Sequence, residues 1–207
     1  MSVRNLGSIF HPRSVALIGA STREHSIGNV VAENLLHGGF SGTVRLVNPV
    51  HSQAVGMRTY PDVASLPESP DLAVICTPPE TVPSLIAELG ARGTKGVIVV
   101  TAGFGDTPDG KRLHQAMLDA ARPHLLRIIG PNCLGVLSPQ SGLNASFAQM
   151  NAISGGIALV AQSGAILTTI LDWASARGVG FSHLVSLGDM ADVDFGDMLD
   201  YLAGDPN

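Results

Sequence analysis

The chain has 207 residues, 45% of them apolar and 14% charged, with a net charge of −5 and two cysteines. That length holds one large or two small domains around a sizeable core. The missing Lys/Arg cluster excludes a nucleic-acid surface, and no apolar run reaches the length of a membrane span. Cys76 and Cys133, with no apolar leader ahead of them, predict a reducing, cytoplasmic setting.

Residues 1–13 read as a lead-in that Ile9 and Phe10 pin to the fold. Residues 15–18 form a buried strand that stops at Gly19; after a polar turn holding Ser21, Arg23 and Ser26, a helix opens at Gly28 and ends at His37-Gly38-Gly39. Strand 44–47 runs into Asn48-Pro49, and strand 72–76 into Thr77-Pro78-Pro79, with a helix from Glu80 through Leu89. Strand 97–100 leads to Thr101-Ala102-Gly103-Phe104-Gly105 and a helix from about Pro108. Strand 126–129 closes on Gly130-Pro131-Asn132-Cys133-Leu134-Gly135. Five strands alternating with helices predict a doubly wound parallel α/β sheet, whose ligand lies outside the carboxyl ends of the strands.

From about 138 to 154 the residues turn polar and small, which reads as a linker. The alternation then restarts with strand 156–161, the turn Gln162-Ser163-Gly164-Ala165, helix 166–177, strand 181–186 and helix 195–202. Two parallel strands and two helices cannot bury both faces of a sheet, so the 207 residues are expected to be the front of a longer polypeptide or a processed piece of one.

Strand, small-residue turn and helix aim backbone N–H groups at a phosphate. The turn Gly19-Ala20-Ser21 … Gly28 lacks the Gly-x-Gly-x-x-Gly spacing, and Asn48-Pro49 stands where an NAD site needs a carboxylate for the ribose diol. A carboxylate would repel a phosphorylated ribose, so its absence puts coenzyme A ahead of NADP and NAD. Cys133 has no activating His or Asp in the pattern and reads as a packed thiol, with Cys76 a strand end. His25 is a turn residue, His183 a structural strand residue, and His11, His37, His114 and His124 surface residues. Asp189, Asp192, Asp194 and Asp197 lack the spacing of a calcium loop and read as caps and a solvated loop. No metal ligands and no catalytic residue are assigned. Ile170, Leu171 and Trp173 read as core or domain-contact residues.

Ser-Val-Ala-Leu-Ile-Gly-Ala-Ser (14–21), Val-Asn-Pro (47–49), Ile-Cys-Thr-Pro (75–78), Ile-Ile-Gly-Pro-Asn-Cys-Leu-Gly (128–135) and Gln-Ser-Gly-Ala (162–165) together resemble the NDP-forming acyl-CoA synthetases, the superfamily of ADP-forming acetyl-CoA synthetase and the succinyl-CoA ligase α subunit. Gly-Leu-Asn-Ala-Ser-Phe (142–147), Leu-Asp-Trp-Ala (171–174) and Ser-Leu-Gly-Asp (186–189) are similar to Pat-type protein lysine acetyltransferases, in which the synthetase-like part is fused to a GNAT domain.

The resemblance implies a Rossmann-like CoA-binding domain over 1–138, a linker over 139–154, and the start of a flavodoxin-like ligase domain over 155–207. By the same resemblance Gly19, Ala20, Ser21, Arg23, Ser26, Ile27 and Gly28 line the CoA phosphates, and Asn48 and Pro49 sit by the adenosine. Thr77, Pro78 and Pro79 border the pantetheine arm; Ala102, Gly103, Phe104 and Asn132 border the thiol. Gln162, Ser163 and Gly164 open a helix toward the phosphoryl or acyl-phosphate centre. Family members often carry Lys after Asn-Pro, where this chain has Val50 and His51, so Arg23 or Arg58 has to supply that cation.

The leading expectation is therefore the CoA- or acetyl-CoA-binding part of a Pat-type acetyltransferase. The alternatives are the front part of an active NDP-forming acyl-CoA ligase and a stand-alone CoA-sensing module. ATP or ADP with magnesium is expected only in a parent protein. The expected partners are CoA or acyl-CoA, the parent's ATP-grasp or GNAT domains or a partner subunit, and a second copy of the chain.

Overall fold

The computed structural model describes residues 3–206; the expected chain end at Asn207 lies outside them. In chain order, α1 (Gly7–Phe10) precedes β1 (Ser14–Ile18), α2 (Ile27–His37) and β2 (Thr43–Val47). A short antiparallel pair follows, β3 (Gln53–Ala54) and β4 (Met57–Tyr60), and then β5 (Leu72–Ile75), α3 (Val82–Arg92), β6 (Gly96–Val99), α4 (Pro108–Ala121) and β7 (Arg127–Ile129). The chain continues through a hairpin, β8 (Gly135–Ser138) and β9 (Leu143–Ser146), to β10 (Ser154–Ala161), α5 (Gly164–Ser175), β11 (Phe181–Ser186) and α6 (Phe195–Ala203).

Seven strands form one sheet in the order β3-β4-β2-β1-β5-β6-β7, parallel except at the β3 edge. Its central strands are apolar because both faces are covered: Val15 and Leu17 of β1 point into one core layer, Ala16 and Ile18 into the other. The second layer is filled by α3 and α4 through Ile86, Leu89, Leu113 and Met117. The first is filled by α1 and α2 and runs on without a break to Val136, Ala145 and Val185 of the other sheet. That sheet has the order β10-β11-β8-β9, with β10 and β11 parallel and the hairpin antiparallel. Helix α5 packs on its far face through Leu167 and Leu171. The α/β architecture expected from the sequence, a Rossmann-like sheet followed by a flavodoxin-like unit, is the one observed.

Three local expectations change. The stretch 139–154, read as a linker, carries β9, whose four residues are all buried, and this strand with β8 widens the second sheet beyond its two parallel strands. Polar residues can be buried there because they satisfy one another: Ser146 Oγ donates to Asn144 Oδ1 at 2.6 Å, and Asn144 Nδ2 to Asn151 Oδ1 at 2.7 Å. Trp173 does not enter the core; it is 53% exposed, with the Arg177 guanidinium 4.6 Å from its ring centroid. Asp194 caps α6 and Asp197 stands in its first turn, as the reading of caps expects, but Asp192 is not in a solvated loop. Arg127, at the start of β7, bonds Asp192 Oδ2 at 2.8 Å and Asp197 Oδ2 at 2.7 Å. Burial alone would lower the pKa of Arg127, and its bonds to the two carboxylates raise it instead.

A second polar cluster ties the end of α6 to the sheet. The buried His183 ring lies between Ser138 Oγ, 3.0 Å from Nδ1, and Asp205 Oδ2, 2.9 Å from Nε2, with His11, Phe10 and Tyr201 around it.

Two outcomes follow from these networks. Replacing Arg127 by Met leaves two carboxylates without their main counter-charge and lowers the unfolding free energy by about 3 kcal/mol in urea titrations, whereas Arg112→Met, at an exposed pair, has no measurable effect. Burial lowers the pKa of His183 below 6.5, against the opposing pull of Asp205. The unfolded chain then takes up a proton near pH 6.5 that the folded chain resists, so His183 costs nothing above that pH and destabilises progressively below it. Urea midpoints measured from pH 7.5 to 5 should fall more steeply for the wild type than for His183→Gln.

Candidate functional site

The carboxyl ends of β1, β2, β5, β6 and β7 lie along one rim, and backbone hydrogen bonds carry each turn to its neighbour. Gly19 N donates to Val47 O at 3.0 Å, Cys76 N to Ile18 O at 2.8 Å, Val100 N to Ile75 O at 3.1 Å, and Asn132 N to Thr101 O at 2.9 Å. Asn48 locks the first two turns together: its Nδ2 donates to Ala20 O at 2.7 Å, and its Oδ1 accepts from the amides of Val50 and His51. Thr101 Oγ1 donates to Thr77 O at 2.7 Å.

Glycine is required where these turns touch. A Cβ on Gly28 would stand 2.0 Å from Gly19 O, and Gly19 itself has φ +95°. The start of α2 therefore rests directly on the end of β1.

Two helix ends open toward the same place. Ser26 and Ser163, the N-cap residues of α2 and α5, make no side-chain cap, whereas Thr107 and Asp194 cap α4 and α6 with their own oxygens. Ile27, at the start of α2, and Gly164 and Ala165, at the start of α5, line one cavity of about 440 Å³. Thr101, Ala102 and Asn132 lie on its wall. Uncapped N–H groups and the positive ends of two helix dipoles suit an anionic group, with a hydroxyl and an amide beside it.

Of the residues expected from the sequence, this cavity brings together Ile27, Ala102, Asn132 and Gly164. Gly19, Ala20, Asn48 and Thr77 stand on the same rim through the bonds above, Ser21 through its carbonyl, which accepts from Asn29 Nδ2 at 3.3 Å, and Gly28 through its contact with Gly19. Pro79 and Gly103 face each other across it, since a Cβ on Gly103 would meet the Pro79 ring at 2.9 Å. Arg23 and Ser26 shape the first turn: Arg23 N donates to Ser21 Oγ, and Ser26 Oγ to Arg23 O. Pro49 and Pro78 are exposed beside it, and Gln162 is exposed just before α5, where its carbonyl accepts from Gly188 N at 3.1 Å. Phe104 turns inward, is 5% exposed and packs in the core. Asn132 Nδ2 also donates to Asp189 Oδ1 at 3.1 Å.

Residues absent from the sequence expectation are Val100, Thr101, Leu134, Phe147, Ala165 and Thr168, all on the cavity wall. Cys133 is there too, but as a packed thiol whose Sγ lies 3.4 Å from Val99 O; burial pushes its pKa up to about 12. Cys76 is likewise pushed up to about 12 by burial and by Cys133. Neither thiol is an available nucleophile. His11, His183 and Asp205, distant in sequence, have ligand-type atoms within 4.8 Å of one another. They lie in the α6 cluster described above, not on this rim. Among the described residues no helix is long and apolar enough to cross a membrane.

Residues 13–139 match the family model of the CoA binding domain, and residues 154–207 that of the succinyl-CoA ligase like flavodoxin domain. The chain is 40% identical over 198 residues to acetate–CoA ligase [ADP-forming] I of Archaeoglobus fulgidus, covering 95% of this chain and 29% of that protein. It is 35% identical over 208 residues to the subunit alpha of acetate–CoA ligase [ADP-forming] I of Pyrococcus furiosus, covering 98% of this chain and 45% of that one. Among solved structures, the apo form of the dinucleotide forming acetyl-coenzyme A synthetase 1 of Ca. Korarchaeum cryptofilum superposes with a TM-score of 0.92 at 35% identity, over 98% of this chain and 44% of that one. The chain thus spans less than half the length of these relatives.

The Gly28 contact yields a direct test. Gly28→Ala forces α2 away from the β1 turn and lowers the unfolding free energy by about 2 kcal/mol, while Gly7→Ala, with nothing within 4 Å of the added carbon, leaves it unchanged. Urea denaturation of the two variants side by side reads the difference.

Proposed function

Since the chain belongs to the CoA binding domain family, within the acyl-CoA synthetase and succinyl-CoA ligase superfamily, we propose that it is the CoA-binding front part of an ADP-forming acyl-CoA ligase. The observation that carries this reading is the meeting of two uncapped helix N-termini at one cavity on the carboxyl rim of the sheet.

The residues present fit coenzyme A. The close contact of Gly28 with Gly19 leaves the first turn without side chains between ligand and backbone, so amides rather than lysines meet the pyrophosphate. Arg58, exposed on β4 with its guanidinium 5.7 Å from the Tyr60 ring centroid, stands by the Asn48 turn, because Tyr60 O accepts from Asn48 N at 2.9 Å. It is better placed than Arg23 for a 3′-phosphate at the end of β2. Thr77, Pro78 and Pro79 then follow the pantetheine arm toward Thr101, Ala102 and Asn132. Gln162, Ser163 and Gly164 present the α5 N-terminus to the carboxyl group that is activated.

The ligase reading takes precedence over the acetyltransferase reading, because the relatives that match over nearly the whole chain are ligases by name. The residues similar to the acetyltransferases also have structural roles here: Leu143 to Ser146 build β9, and Asp189 holds Asn132. On this reading the domains divide near 138 and 154, the phosphoryl chemistry with ADP and magnesium belongs to other domains or a partner subunit, and the location is cytoplasmic. The exposed Ile157 of β10 and the exposed Ile166 and Trp173 of α5 give such a neighbour an apolar surface.

Isothermal titration of the chain with CoA should show saturable binding at one site. Arg58→Ala weakens CoA about tenfold, the worth of one charge-assisted contact, and leaves dephospho-CoA, which lacks the 3′-phosphate, unaffected. No heat with CoA at millimolar concentration would overturn the reading.

A further inference from the structure

Resting on the CoA reading above, we propose that a second cavity, walled by Leu134, Phe147, Met150 and Leu171, holds the acyl group and selects apolar acyl chains longer than acetyl. This cavity measures about 380 Å³ and adjoins the one at the helix ends: Leu134, Phe147 and Thr168 wall both. The two differ in chemistry. The first offers helix N-termini and the Asn132 amide; the second is lined mainly by aliphatic, thioether and aromatic side chains, with the exposed Gln149 and Asp172 at its outer edge. A charged head and a hydrocarbon tail would be sorted between them.

The shared wall is built largely at the two ends of the β8–β9 hairpin, by Leu134 and Phe147. Phe147 N donates to Leu134 O at 3.2 Å, which fixes the phenyl ring beside the residue following Cys133. Phe147 is half-buried and packs against both the central core and the α5 core, so it stands between the two cavities rather than out in solvent. Leu171 and Thr168 approach from α5, whose first turn lines the reacting end. On this proposal a two-carbon acyl group stays at the helix ends, and only longer chains enter the second cavity. Each further methylene buried against Leu134, Met150 and Leu171 contributes about a fourfold gain in affinity, reduced by the cost of ordering the chain.

The test is titration of the full chain with CoA, acetyl-CoA and hexanoyl-CoA, and of two variants at Met150, which lines the second cavity and not the first. Hexanoyl-CoA should bind at least about tenfold tighter than acetyl-CoA. Met150→Trp fills the cavity and abolishes that preference while CoA affinity stays the same; Met150→Ala keeps or extends the preference toward longer chains. Circular dichroism and the CoA titration verify that each variant folds. Equal binding of hexanoyl- and acetyl-CoA by the wild type, or a preference that survives Met150→Trp, overturns the acyl pocket and leaves the CoA site standing. Failure of CoA itself to bind removes both.

Discussion

Everything at the candidate site depends on one packing constraint, the absence of side chains where α2 meets the end of β1. Gly28 lies so close to Gly19 O that even a methyl group would have to displace the helix. That contact fixes the helix axis against the central strand of a sheet buried on both faces. Ser26 Oγ is turned to Arg23 O, so the first turn of α2 has no side-chain cap and its N–H groups remain open at the rim. The neighbouring turns are then positioned from strand to strand by backbone bonds rather than by side-chain contacts. A protein with net charge −5 can in this way offer an anion site while spending few cations.

The second constraint is the core layer that the two sheets share. Helices α1 and α2 cover one face of the seven-stranded sheet and, on their other side, the inner face of the four-stranded one. Asn34 of α2 fastens the arrangement, its amide donating to both Ser146 O and Ala148 O at 2.8 Å. At the opposite end of the sheet Arg127 reaches from β7 to Asp192 and Asp197. With a polar tie at each end and an apolar layer between them, the α5 N-terminus is held against the rim built by the first sheet. The 440 Å³ cavity exists because of that relation. Changes at Asn34 or Arg127 would therefore act on the site through the angle between sheets, not through any contact with ligand.

The parallel strands and their turns were readable because burial on both faces leaves uninterrupted apolar runs, such as 72–75 and 97–99, ended by glycine or proline. The β3–β4 edge was not readable: Gln53–Ala54 and Met57–Tyr60 are short, mixed in polarity and exposed on one side. The hairpin strand β9 misled for a different reason. Leu-Asn-Ala-Ser has the composition of a surface segment, and its burial rests on hydrogen bonds to Asn34, Asn151 and its own neighbours that no local pattern reveals. Arg127 gave no signal either, since its carboxylate partners lie 65 and 70 residues further on. The turns that make the rim were legible one by one. The far wall of the cavity, Phe147 and Thr168, came from a stretch read as linker and from a helix whose facing could not be assigned.

The same separation between rim and interior accounts for the nucleophile-like groups among the described residues. Ser138, His183 and Asp205 are aligned as hydroxyl, imidazole and carboxylate, the order found in hydrolytic triads. Ser138 is 1% exposed and His183 2% exposed, so no substrate carbonyl can reach the hydroxyl, and the bonds serve to lock α6 against β11. Cys133 is buried and Cys76 half-buried, and desolvation keeps both thiols protonated. The reactive geometry that remains is entirely backbone and dipole, at the ends of α2 and α5. Such groups can orient and stabilise an acyl phosphate or a thiolate, but they cannot carry a phosphoryl group.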